Sequence, residues 1–332
     1  MNTLNVTNLP NQVSKKQGPL VINGQTIEAG ENKTIILNSY ELHTKTRLEI
    51  PVHVIRAKEP GPSILLSAGM HGEETNGIEI IRKVISREEV QSIKRGTLVA
   101  IPVINVISFL FGSRDLPDGR DLNRCFPGTR KGSVGSRIAY DLMQHVIPVI
   151  DFGVDFHTGG AKINNFPQIR CVFDFADNID LGLRFSAPLI IDSPYRDGTF
   201  RQEAAKKHKP ILVYEGGESM RFDYKAINEG IQGCLRLMHS FEMIDLDLPG
   251  NASVKIRKDT WVRANSSGLF HMSVSNGAHV HKGDLLGLIF NPFGETEEKV
   301  LSTVDGYIVG INNQPVVNQG DALVHIGVEE QD

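Results

Sequence analysis

Ser63-Ile64-Leu65-Leu66-Ser67-Ala68-Gly69-Met70-His71-Gly72-Glu73-Glu74 is the stretch on which the fold turns. Its first six residues are apolar or small at odd and even positions alike, the composition of a strand covered on both faces. Glycines at 69 and 72 let the chain turn sharply after it. Thr75–Ile85 then repeats apolar residues at Ile78, Ile81 and Ile85, a helical spacing. A doubly covered strand feeding a helix is the repeating unit of a largely parallel sheet.

The alternation continues downstream. Gly96–Val103 reads as strand, Ser133–Ile147 as an amphipathic helix with Ile138, Leu142 and Val146 four apart, and Val149–Phe156 as strand. Leu189–Ile191 and Ile211–Tyr214 are two further strands. Phe200–Lys207 between them is helical, stopped by Pro210, and a last helix covers Tyr224–Met238. Upstream, residues 1–18 read as a tail and 19–56 as short antiparallel strands, among them Lys33–Leu37 and Leu48–Ile55. Glu59-Pro60-Gly61-Pro62 reads as a turn. Beyond Leu248-Pro249-Gly250-Asn251 the helical signal stops. Turns at Gly268, Asn276-Gly277, Lys282-Gly283-Asp284, Asp305-Gly306 and Gly320-Asp321 divide the remainder into short β segments. The expected architecture is α/β over residues 19–250, a mixed, mostly parallel sheet with helices on both faces, followed by an all-β sandwich or barrel over 251–332.

Composition narrows the function. A chain of 332 residues has room for two domains. Its 35 Lys and Arg against 39 Asp and Glu give a net charge of −4, without the concentrated basic excess of a nucleic-acid binder. No apolar run approaches the roughly 20 residues of a membrane span. The start, MNTLNVTNLPNQVSKKQ, lacks the apolar core of a secretory signal, so a cytoplasmic protein with no membrane partner is expected. Cys125, Cys171 and Cys234 form no C-x-x-C pair, against both a disulfide framework and a thiolate zinc site. Histidines and carboxylates are left as the metal ligands.

In an open parallel sheet, chemistry collects where strands end. His71 and Glu74 form H-x-x-E after the strand Ser63–Ala68, and His157 ends the strand Val149–Phe156 in Asp155-Phe156-His157-Thr158-Gly159-Gly160. Two His and one carboxylate, with a position left for water, make a catalytic zinc arrangement. Glu215, in Tyr214-Glu215-Gly216-Gly217-Glu218, suits a general base, with Glu218 and Glu73 as rivals. Asn123-Arg124 offers an amide and a forked cation to a substrate carboxylate. Arg170, Tyr195, Arg196 and Arg201 lie where a second charged end could be held. Each residue alone also has a plain structural reading: a capped core His, a loop Glu, a salt-bridged surface Arg. His279-x-His281 reads as a half-exposed pair beside a turn, or as a second metal site.

His71-x-x-Glu74, Asp121-Leu-Asn123-Arg124-x-Phe126-Pro-Gly, Asp155-Phe-His157 and Glu215-Gly-Gly occur in one order. Together they resemble the succinylglutamate desuccinylase/aspartoacylase family, a branch of the zinc carboxypeptidase superfamily. The resemblance implies a carboxypeptidase-like sheet and one Zn²⁺ held by His71, Glu74 and His157. It implies Glu215 as base and proton shuttle, and Asn123 and Arg124 on the substrate carboxylate. Asp121 would orient a zinc-binding His, here His71, and Arg114 would polarise the scissile carbonyl, with Arg120 competing for that task. The activity implied is hydrolysis of the amide bond of a small N-acyl amino acid, by a chain able to form a homo-oligomer, with the β-rich part shielding the mouth. Two alternatives stand beside it: a metallocarboxypeptidase on short peptides, disfavoured by a covered mouth, and a non-catalytic binding protein, disfavoured by the complete ligand set plus Glu215. The β-rich part also resembles biotinyl and lipoyl carriers, but neither Lys282 nor Lys299 sits in the hairpin motif that a carrier lysine needs.

Overall fold

The computed structural model describes residues 18–41, 44–246, 248–294 and 297–330. Leu20–Ile22 (β1) and Gln25–Ile27 (β2) form a hairpin. Asn32–Glu41 (β3) and Arg47–Arg56 (β4) follow, then Glu59–Ala68 (β5), helices Thr75–Ile85 (α1) and Glu88–Gln91 (α2), and Arg95–Ile101 (β6). Helices Val106–Phe111 (α3) and Val134–Asp141 (α4) precede Phe152–Gly159 (β7) and Ile163–Cys171 (β8). Ala176–Phe185 (α5), Leu189–Asp192 (β9), Phe200–Ala205 (α6), Ile211–Glu218 (β10) and Tyr224–Ser240 (α7) complete the α/β part. The central strands run in the order β4-β6-β5-β7-β10-β8-β9; β6, β5, β7 and β10 are mutually parallel, and β8 is antiparallel to β10.

Strand β5 shows why its sequence is apolar throughout. Ile64, Leu66 and Ala68 enter the core beneath α1, α5 and α7, while Leu65 enters the opposite core with Ile138 and Ala139 of α4. Ser67, on that second face, donates to Asp155. Full burial of a Leu or Ile is worth about 1.5–3 kcal/mol, so these two cores hold the strand ends in place from both sides. The expected turn at Glu59–Pro62 is instead the irregular start of β5: the register steps from Glu59 opposite Arg95 to Ser63 opposite Thr97. A proline lacks the ladder donor, and the step accommodates two of them. The helix expected over Ser133–Ile147 is regular only as far as Asp141 and then continues as a wider turn over Leu142–Val146.

The remaining strands are Val254–Arg263 (β11), Gly268–Met272 (β12), His279–Val280 (β13), Leu285–Phe290 (β14), Glu297–Leu301 (β15), Gly306–Asn312 (β16), Val316–Val317 (β17) and Ala322–Glu329 (β18). β11 pairs parallel to β9, β18 pairs with β11 and β16, and β16 pairs back onto β8. The ring β8-β9-β11-β18-β16 is a closed five-stranded barrel, filled by Leu189, Ile191, Ile256 and Val309. A second antiparallel sheet, β15-β14-β12-β17, covers its outer side around Phe270, Leu286, Ile289, Ile308 and Ile326. The main sheet therefore runs across residue 250 without interruption. Cys171 and Cys234 are buried, unbridged core residues. Among the described residues no helix is long and apolar enough to cross a membrane.

Candidate metal centre and active site

Gly72 brings the turn after β5 against α3, where a Cβ would lie 2.0 Å from the Ser108 carbonyl carbon. Only glycine permits that approach, and it delivers His71 and Glu74 to one point. His71 Nδ1 lies 2.7 Å from Glu74 Oε1, and His157 Nδ1, from the end of β7, lies 2.9 Å from Glu74 Oε2. The Thr158 amide donates to the same Oε2 at 3.2 Å. All three side chains are buried, and they form the one group of three or more potential metal ligands among the described residues.

The far nitrogens are also engaged. His71 Nε2 is 3.0 Å from Asp121 Oδ1, and His157 Nε2 is 2.9 Å from Asp155 Oδ2. Asp121 further accepts the Asn123 amide at 2.8 Å and Arg114 Nη2 at 2.9 Å; Asp155 accepts Ser67 Oγ at 2.7 Å. Burial would lower the histidine pKa values, but nearby carboxylates outweigh it: Glu74 and Asp121 raise His71, and Asp155 and Glu74 hold His157 well above the ordinary value. Burial would likewise raise Glu74, yet the two imidazoles hold it far below the usual carboxylate range. The donor set fits a divalent cation. In the neutral rings, with each Nε2–H given to an aspartate, both Nδ1 atoms are acceptors facing a carboxylate, and the positive charge between them is supplied either by a proton on the ring or by a divalent cation in its place. Arg114 Nη1, 3.3 Å from both His71 Nδ1 and Glu74 Oε1, shows the same demand.

Glu215 of β10 lies directly opposite His157 of β7 in the parallel ladder. Val213 and Glu215 share a face with Asp155 and His157, because strand residues alternate. After Glu215 the strand bulges: the register shifts on both neighbours, and Gly217 takes a φ of 77° with no room for a side chain beside Asn76. Bulges re-aim a strand residue, and the Glu-Gly-Gly motif encodes this one. Asn76 of α1 donates to the Gly216 carbonyl at 3.2 Å, tying the bulge to the helix that begins after Glu74.

These groups line one cavity of about 650 Å³. His71, Glu74, His157, Arg114, Asn123, Arg124 and Glu215 all face it. Arg120 does not; it turns to Asp118 and Ser133. Of the rival acids, Glu218 accepts Asn313 Nδ2 at 2.7 Å and, like Glu73, is outside the lining. Asn123 Oδ1 caps the α6 backbone at Phe200, and Arg124 stands exposed at the rim. The opposite wall carries Arg170, Tyr195, Arg196 and Arg201, together with Asp259, Trp261 and His325 from β11 and β18. Trp261 and His325 stack with ring centroids 4.5 Å apart, and His325 Nε2 is 3.2 Å from Asp259. Arg201 Nη2 donates to Ser193 and Pro194, whereas Arg201 Nη1 and Arg170 Nε are buried without a partner among the described residues. His279 and His281 are exposed, ring centroids 5.0 Å apart, and belong to no three-ligand group among the described residues.

Sequence reasoning missed Asp155 as the partner of His157, although period-two spacing places both on one face. It also missed Asn165, whose strand β8 is assigned no element from the sequence, and Asp259, Trp261 and His325 of the barrel, which carry no local signal.

Residues 60–241, more than half of the chain, match the model of the succinylglutamate desuccinylase/aspartoacylase catalytic domain. The N-alpha-acetyl-L-2,4-diaminobutyric acid deacetylase of Halomonas elongata is 28% identical over 293 residues, 83% of this chain and 85% of that protein. A succinylglutamate desuccinylase/aspartoacylase structure from Rhodobacter sphaeroides superposes with a TM-score of 0.78 at 23% identity, covering 92% of this chain and 98% of its own. The product-bound ectoine utilization protein EutE (DoeB) from Ruegeria pomeroyi gives 0.79 at 22%, covering 94% and 99%. With a domain match over more than half of the chain, the chain belongs to the succinylglutamate desuccinylase/aspartoacylase family.

Proposed function

We propose that the chain is a zinc-dependent amidohydrolase that cleaves the amide bond of a small N-acyl amino acid carrying a free carboxylate. The observation that carries this reading is the buried His71–Glu74–His157 group, each ring backed by an aspartate, with Glu215 one strand away in the same cavity. The deacetylase relative supports the reaction class. A zinc ion held by these three residues would supply Lewis acidity and allow water to ionise near neutral pH.

The chain's own residues do the rest. Glu215 takes a proton from the attacking water and returns it to the amine nitrogen as the C–N bond breaks. Arg114 stabilises the oxyanion that develops on the acyl oxygen, an interaction worth about 3–4 kcal/mol in other enzymes. Asn123 and Arg124 hold the substrate carboxylate, and Asp121 keeps His71 in one tautomer while fixing Arg114 beside it. Arg201 has no carboxylate partner among the described residues, and burial, then Arg170, lowers its pKa. A half-buried cation whose Nη1 is shut off from solvent calls for an anion, which favours substrates with a second acidic group.

The test is metal analysis followed by a panel of N-acetyl and N-succinyl amino acids and short peptides. One zinc per chain and release of free amino acid from the N-acyl compounds is the expected result. Release of C-terminal residues from peptides alone would instead indicate a carboxypeptidase. Protein that takes up no zinc and hydrolyses nothing after zinc addition would indicate a binding protein.

A further inference from the structure

Asn165 joins two parts of the molecule at the base. Its Nδ2 donates to Glu215 Oε2 at 2.9 Å, and its side chain is buried. Its backbone stands at a junction: β8 pairs there with Gly217 of β10 on one edge and Gly310 of β16 on the other. A Cβ on Gly310 would meet Asn165 Oδ1 at 2.8 Å, so glycine at 310 leaves the amide its place. The barrel also holds the far end of the bulge, since Asn313, just past β16, donates to Glu218 Oε2. Asn76 fixes the middle through the Gly216 carbonyl. Glu215 is thus at the head of a segment pinned at three points, two of which depend on the β-rich part of the chain.

We infer that Asn165 is a positioning residue for Glu215, and that Gly310 of the barrel sets the orientation of Asn165. The inference rests on the reading of Glu215 as the general base. A single donor on Oε2 fixes the carboxylate plane and leaves Oε1 free to face the attacking water. The β-rich part then acts on the reaction through the base, beyond covering the cavity.

The experiment uses the full-length zinc-loaded protein, with N-acetyl-L-aspartate and N-acetyl-L-glutamate as probes, and crystal structures of the wild type and of Asn165→Ala. Asn165→Ala is expected to lower kcat about tenfold, with KM, zinc content and Tm unchanged and the Glu215 carboxylate displaced or spread over several positions. Asn165→Asp, which puts a like charge beside the base, should in addition move the acid limb of the kcat–pH profile upward. Gly310→Ala should lower kcat in the wild-type background and have no further effect on top of Asn165→Ala, the signature of one shared interaction. If Gly310→Ala does not fold, the two Asn165 variants and the crystal structures decide. Unchanged kcat in Asn165→Ala while Glu215→Gln is inactive would overturn the inference and leave the base assignment standing. A fall in kcat matched by losses of Tm and zinc would also overturn it, by making Asn165 merely structural. Wild-type crystals with Asn165 Nδ2 out of reach of Glu215 would do so without any substrate. Wild-type turnover by Glu215→Gln would remove the base itself.

Discussion

The two walls of the cavity satisfy their polar groups in opposite ways. On the metal side each charged group has a partner inside the protein: His71 with Asp121, His157 with Asp155, Glu74 with both imidazoles and the Thr158 amide. On the far side Arg170 Nε and Arg201 Nη1 are buried with no partner among the described residues. An unsatisfied buried donor costs about 1–3 kcal/mol. The metal side is therefore organised before substrate binds, with the place between its Nδ1 atoms and Glu74 left for a cation, and the far side is completed by what binds. Rate is to be sought in the first and selectivity in the second.

That contrast can be broken at several points. The largest effect is expected from Glu215→Gln, which should reduce kcat by about 10²- to 10⁴-fold while zinc content stays at one per chain; substantial turnover would dissolve the division of labour. Asp155→Asn should weaken zinc binding by about 10- to 100-fold in a chelator competition, with a normal fold by circular dichroism. Equal zinc affinity in that variant would show that the aspartate does not hold His157. Arg201→Met belongs to the other wall. It should raise KM about tenfold, the worth of roughly one charged hydrogen bond, for N-acyl substrates with a second acid group, leaving kcat and zinc untouched. An effect on kcat alone would blur the distinction between the walls.

The smallest effect is thermal. In the metal-free protein the raised pKa values of His71 and His157 mean that their ion pairs stabilise the fold fully below the unfolded His pKa, about 6.5. That contribution is lost as pH rises through the raised folded values. Zinc requires both Nδ1 atoms unprotonated. The gain in Tm on adding zinc should therefore grow, by a few degrees, between pH 6 and pH 8.5. A gain that shrinks over that range would mean that zinc does not replace protons at these rings.

The same contrast explains what could be read from the sequence. His71, Glu74, His157 and Glu215 each sit in a short glycine-flanked motif after an apolar strand, so local text reports them. The far wall is assembled from separate elements. β8 escapes notice because Asn164, Asn165, Gln168 and Arg170 break its apolar pattern and Pro167 falls within it. Pro167 is tolerated because no ladder partner is assigned to it: β8 pairs with β16 through Asn165 and with β9 from Gln168 onward. Asp259, Trp261 and His325 look like ordinary β alternation until β11 and β18 curl them into the cavity. Arg114 and Arg120 could not be separated by spacing. The turn between them does it, with the Gly119 amide on the Leu116 carbonyl and the Leu116 amide on the Arg120 carbonyl, which returns Asp121 to Arg114 and sends Arg120 outward.

The barrel closure has a consequence for dissecting the protein. β9 pairs with β11 and the start of β8 pairs with β16, so cutting the chain near residue 250 would strip both edges at once. Two rows of unpaired amides and carbonyls, next to Leu189 and Ile191, would then face solvent as templates for intermolecular pairing. The fragment would retain every proposed metal ligand and yet be prone to aggregate.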